Sequence, residues 1–126
     1  MQEKSREIWV GKTRFYLGED NILYETIVGD IDEKIAIVLR EATFEFMKIA
    51  GEKLDILIDI NKAGKPSKEA RNMFLELNKL EGLGKIAIFG MHPVARVIAS
   101  FGMGVSKKKE LRFFKTKAGA LEWLKE

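Results

Sequence analysis

The 126-residue chain contains no cysteine, one histidine and two prolines. Without cysteine, disulfides, thiolate zinc sites, iron–sulfur ligation and a cysteine nucleophile are all excluded. His92, as the lone histidine, excludes any site that needs two imidazoles. No Pro/Gly/Ser-rich stretch divides the sequence and no internal repeat is present, so a single domain over residues 1–126 is expected. No window approaches about 18 consecutive apolar residues, and no membrane span is expected. The start, Met1-Gln2-Glu3-Lys4-Ser5-Arg6-Glu7, is polar, with no apolar stretch of signal-peptide type behind it. A cytoplasmic location is therefore expected.

What the sequence does have suits a folded domain. It is 46% hydrophobic and 33% charged. A chain of this length buries roughly two-thirds of its unfolded surface and needs no disulfide or metal staple. The net charge of +3 hides an asymmetry. Residues 1–63 hold 9 Lys/Arg against 13 Asp/Glu, a net of −4, while residues 64–126 hold 13 against 6, a net of +7. Such a polar molecule suits head-to-tail self-association or an anionic partner on one side.

The apolar periodicity predicts an α/β fold. Ile8-Trp9-Val10 and Arg14-Phe15-Tyr16-Leu17 flank Gly11-Lys12 as a hairpin. Ile22 to Val28 follows the turn Gly18–Asn21 as a third strand. Asp30 or Asp32 caps a long helix with Ile31, Ile35, Val38, Leu39, Ala42, Phe46 and Ile49 on one face, and Gly51 stops it. Leu54–Ile60 reads as a strand and Ser67–Leu80 as a helix. Gly82-Leu83-Gly84 breaks that helix before a strand at Lys85–Phe89. A helix from Pro93, a strand at Leu111–Phe114 and a helix capped by Thr116 complete the chain. The order βββαβαβαβα implies a mixed sheet, antiparallel at its N-terminal part with a parallel core.

In a parallel sheet, ligands collect beyond the carboxyl ends of the strands. Two loops are expected there, Asn61–Lys68 and Gly90–Pro93. The first ends at a helix N-terminus, whose free N–H groups and positive dipole end favour an anion. Lys62, Lys65 and Lys68 add charge to it, Ser67 stands at the cap, and Gly64 lets backbone approach a ligand. An ordinary serine cap among solvated lysines satisfies the same pattern. Gly64-Lys65-Pro66-Ser67 is not a P-loop, because proline interrupts Gly-Lys-Ser and Asp59 stands where the first glycine belongs. His92 and Asp59 are candidates for acid–base chemistry, though no nucleophile with its base is visible. Lys107-Lys108-Lys109 is a further basic element. With no interleaved aromatics and no continuous basic helix, nucleic acid is not an expected partner. No metal site and no cofactor are expected.

The long helix carries a second apolar stripe. Ile37 and Phe44 lie seven residues apart, nearly opposite the core stripe, with Met47 nearby. Such a stripe marks either a partner surface or burial by a neighbour within the domain.

Three segments in order resemble the STAS superfamily, and within it the SpoIIAA-like group. They are Tyr24-Glu25-Thr26-Ile27-Val28-Gly29-Asp30-Ile31-Asp32, Leu54-Asp55-Ile56-Leu57-Ile58-Asp59, and Leu111-Arg112-Phe113-Phe114 running to Ala120-Leu121-Glu122-Trp123-Leu124. The resemblance implies a non-enzymatic regulatory or protein-interaction module. With the charge asymmetry and the second stripe of the long helix, the expected partner is another protein or a second copy, as a homodimer. It also implies a serine phospho-acceptor at the helix N-terminus after the central strand, for which Ser67 is the nearest serine. The family's Asp-Ser-Ser-Gly-like motif is absent, and a lysine-rich segment stands in its place. The same group resembles the lipid-binding Sec14 fold, which implies a small anionic or lipid ligand at the strand-edge loops as the alternative. An enzyme using His92 with Asp59 is the third reading.

Overall fold

Alternating residues along six strands bury apolar side chains on both faces of one sheet. The computed structural model describes residues 6–77, 80–91 and 110–126. The strands are β1 (Glu7–Val10), β2 (Thr13–Leu17), β3 (Ile22–Ile31), β4 (Leu54–Pro66), β5 (Leu83–Phe89) and β6 (Leu111–Phe114). Three helices are described: α1 (Glu33–Ala50), α2 (Lys68–Leu77) and α3 (Lys117–Leu124). The expected helix from Pro93, together with His92 and Lys107–Lys109, lies outside the described residues.

The strands lie in the sheet in their chain order, β1 to β6. β1, β2 and β3 pair antiparallel, and β3, β4, β5 and β6 pair parallel, so the mixed sheet is as expected. Strands added one after another in the same direction need right-handed connections on one side. α1 and α2 accordingly share a face. Their Ala36, Leu39, Ala42, Phe46, Ala70 and Leu77 pack with Phe15, Leu23, Ile27, Ile56 and Ile60 in the larger core. α3 follows the last strand and is free of that constraint. It lies on the other face, where Ala120, Trp123 and Leu124 pack on Ile22, Leu57, Ala87 and Phe89.

The caps follow the sequence. Asp32 Oδ1 accepts from Ile35 N at 2.9 Å to start α1, and Gly51 ends it with φ of 70°. Thr116 Oγ1 accepts from Gly119 N at 3.1 Å to start α3.

Two expectations are corrected. The segment Asn61–Pro66 is not a loop: β4 runs on to Pro66, paired with a β3 that itself extends to Ile31. Val28 stands opposite Lys62, Gly29 opposite Ala63 and Ile31 opposite Pro66. Two register shifts each insert one extra residue into β4, and such bulges bend a strand and increase its twist. Lysine, glycine and proline mask the far end of the strand, where Ile60 and Ala63 are the buried positions. Gly64 is needed because a Cβ there would meet the Asp30 side chain and backbone of β3. The close approach is therefore to the neighbouring strand and not to a ligand. The second correction is at Gly82-Leu83-Gly84, where Leu83 and Gly84 already belong to β5.

Candidate functional site

The residues expected to share one strand edge fall into two places. Ser67 caps α2: its Oγ accepts from Ala70 N at 3.0 Å, and its own N–H donates to Ile31 O at 2.8 Å. That second bond ties the start of α2 to the residue before Asp32, the cap of α1. Two helix N-termini thus lie side by side at the end of the β3–β4 ribbon. Lys65 and Lys68 are exposed beside them, and Lys65 N donates to Asp30 Oδ1 at 3.0 Å. Lys62 is exposed further back on β4.

Asp59 stands level with Phe89 at the end of the β4–β5 pairing. Residues 60–66 of extended strand separate it from Ser67, a distance on the order of 20 Å. Among the described strands the order has no reversal of the kind that creates a crevice at the strand ends. Among the described residues, Asp59 and Ser67 therefore do not share one edge. Asp59 Oδ1 instead accepts from Asn61 N and Nδ2, each at 3.0 Å, and Asn61 Oδ1 accepts from Met91 N at 2.9 Å. Asn61, which the sequence reading passed over, thereby fastens β4 to the end of β5. His92 lies outside the described residues.

On α1, Phe44 is 38% exposed and Ile37 is half-buried. Met47 is turned inward. It packs at the margin of the larger core, with its Cε where a Cβ on residue 82 would stand.

A groove not foreseen from the sequence occupies the face that carries α3. The register sets two rows of side chains across the sheet. Trp9, Arg14, Thr26, Asp59 and Phe89 form one row, and Tyr16, Tyr24 and Leu57 form the next. α3 lies over the β4–β6 side, and its first residue, Lys117, stands at the border. The rest of this face is left as an open groove of about 350 Å³, lined by the first row from Arg14 to Phe89, by the second row and by Lys117. Arg14 pairs with the Glu7 carboxylate, and its guanidinium lies 4.8 Å from the Tyr16 ring centroid and 5.8 Å from that of Trp9. Hydrogen bonds from Trp9 and Arg14 hold the Glu7 carboxyl below its usual range. The Tyr16 and Tyr24 centroids are 6.3 Å apart, and Lys117 Nζ lies 5.7 Å from the Tyr24 ring. Burial, with the hydrogen bond that Tyr24 donates to Asp20 at 2.7 Å, pushes the Tyr24 hydroxyl up to about 12. The available signal was period two: Arg14 and Tyr16 alternate with the buried Phe15 and Leu17.

The opposite face holds a buried acid. Glu25 is 2% exposed, and among the described residues its Oε1 has no hydrogen-bond partner. Desolvation pushes its carboxyl up to about 8, so it is protonated at neutral pH. Its neighbours at spacing two, Leu23 and Ile27, already mark that face as core. Among the described residues, no group of three or more His, Asp or Glu side chains could hold a metal ion. Among the same residues, no helix is long and apolar enough to cross a membrane.

No curated protein matches the chain. Solved structures do. An uncharacterised protein of the DUF3478 family from Shewanella loihica PV-4, with a SpoIIAA-like fold, is 22% identical; 98% of each chain is covered with a TM-score of 0.66. The anti-sigma factor antagonist SpoIIAA, in its unphosphorylated form, is 11% identical; 90% of this chain and 97% of that one are covered with a TM-score of 0.63. The fold is therefore SpoIIAA-like, as the resemblance implied. A family model, the domain of unknown function DUF7793, matches residues 16–126, and the chain belongs to that family.

Proposed function

We propose that the protein is a non-enzymatic, cytoplasmic regulatory module that acts by binding a protein partner, first of all a second copy of itself. The likeness to an anti-sigma factor antagonist, a regulator described in an unphosphorylated form, supports this reading. The observation that carries it is the junction at Ser67. The half-buried hydroxyl sits at the first turn of α2, between exposed Lys65 and Lys68, and its backbone is bonded to Ile31 beside the start of α1. A phosphate there would meet N–H groups, a positive dipole end and two lysines. It would also place about two negative charges beside Asp32 and Glu33 at the start of α1. Phosphorylation would thus act on the helix that carries Ile37 and Phe44, with Met47 at its margin, as the docking surface.

The alternative, a small anionic or lipid ligand held by strand-edge loops, has less support. Asn61–Pro66 is strand, and the open side of Gly64 is filled by Asp30. The test is sedimentation of four proteins. Wild type and Ser67→Ala are expected to self-associate. Ser67→Glu is expected to weaken association about tenfold. Ile37→Asp combined with Phe44→Asp is expected to give a monomer with unchanged circular dichroism. A monomeric wild type, or an unchanged oligomer in the double variant, overturns the proposal. Mass spectrometry of the Ser67 peptide after incubation with ATP and host lysate tests the switch directly.

A further inference from the structure

We propose that the groove on the α3 face binds a small planar aromatic monoanion that carries a hydrogen-bond donor at its far end. This goes beyond the docking reading and shares no residue with it. The volume, about 350 Å³, is at the small end of ligand sites and holds one ring system with its substituents.

The chemistry of the lining selects the class. Arg14, Tyr16, Tyr24 and Lys117 form a continuous chain of cation and ring contacts at 4.8, 6.3 and 5.7 Å. A ring laid on the two tyrosines gains offset or tilted aromatic contact, with Lys117 at one end to receive its negative group and the Glu7-paired Arg14 guanidinium at the other to stack on it. The ring faces are pre-set. Tyr24 is anchored through its hydroxyl to Asp20, and hydrogen bonds from Trp9 and Arg14 converge on Glu7. Lys117 is exposed and, among the described residues, forms no ion pair, so its charge is available. Asp59, beside Phe89, is an acceptor and calls for a donor on the ligand, such as a hydroxyl or amine. The carboxylates of Glu7, Asp20 and Asp59 around the groove disfavour a polyanion, which separates this site from a nucleic-acid platform.

The experiment is an amide chemical-shift titration of the whole chain with 4-hydroxybenzoate. Acetate supplies the anion alone, phenol the ring and donor without the anion, benzoate the ring and anion without the donor, and an oligothymidylate the stacked polyanion. The expected result is saturable shifts centred on Arg14, Tyr16, Tyr24 and Lys117, with acetate and phenol at least about tenfold weaker. Lys117→Gln, at an exposed position, should weaken binding about fivefold, and Arg14→Gln about tenfold. Shifts centred on Ser67 and the helix N-termini would overturn the site. Equal binding of acetate, or tighter binding of the oligothymidylate, would overturn the ligand class. None of these outcomes depends on the oligomeric state, so the groove and the docking surface fail separately.

Discussion

Glu25 shows how much one position can decide. A lone carboxyl inside an apolar core without a partner for Oε1 stays neutral by holding its proton. In the unfolded chain it ionises near 4.5, and in the folded protein near 8. Between those values the native state binds more protons than the unfolded state, so stability falls as pH rises through this window and levels off above it. The span corresponds to an effect on the order of 5 kcal/mol. The hydrogen-bonded Glu7 carboxyl has its lowered pKa, so its contribution changes only below about 4.5, outside the window. Melting temperatures measured from pH 5 to pH 8 should therefore decline for the wild type and stay nearly level for Glu25→Gln. A parallel decline in both proteins would show that Glu25 is not the group responsible.

At the scale of elements, the β3–β4 ribbon is the part that departs from expectation. Its far half depends on two backbones meeting at Gly64 and Asp30, and Lys65 N is satisfied by the Asp30 side chain. Gly64→Ala should cost about 2 kcal/mol in chemical denaturation, because the added methyl must push Asp30 away and loosen that bond. Gly29→Ala would not be an equivalent control, since residue 29 has φ of 86° and is strained for other reasons.

The same ribbon marks the limit of what was legible in the sequence. Helix α1 was readable because Leu39, Ala42 and Phe46 at helical spacing, an aspartate cap and a glycine stop all agree, although Ile31 belongs to β3 and not to the helix face. The hairpin and the six-strand order were readable for similar reasons. The ribbon was not, since its lysines, glycine and proline have loop chemistry, and only pairing with β3 makes a strand of them. The groove was hidden for a related reason. Its residues come from β2 to β5 and α3, and only the register brings Arg14, Thr26 and Asp59 into one row. Ser67 as a helix cap, in contrast, was one of the two readings that the local pattern offered.

For the whole molecule, the two cores are two sides of the same strands. Ile56 and Leu57 are adjacent in β4, yet one faces α1 and α2 and the other faces α3. A defect on the smaller face should therefore reach the larger one. Trp123 is the centre of that smaller face. Its ring lies 5.6 Å from Phe114, Lys85 and Arg112 stand over it, and Lys85 Nζ donates to its carbonyl at 3.0 Å. Trp123→Ala should lower the stability of the entire chain by about 3–5 kcal/mol. Far-UV circular dichroism, which follows α1, should shift together with Trp9 fluorescence in the same denaturant series. Two separated transitions would show instead that the faces unfold independently.

The sequential strand order has a consequence for how the chain is made. Each new strand pairs with the one just before it, and no strand is inserted between two earlier ones. A chain emerging from the ribosome would therefore find each partner already in place and would add strands at a single growing edge, from β1 to β6. α3, the last helix, would then close the reverse face only after β6 had been laid down. Synthesis order and assembly order coincide in this topology, so no earlier pairing has to reopen to admit a later strand.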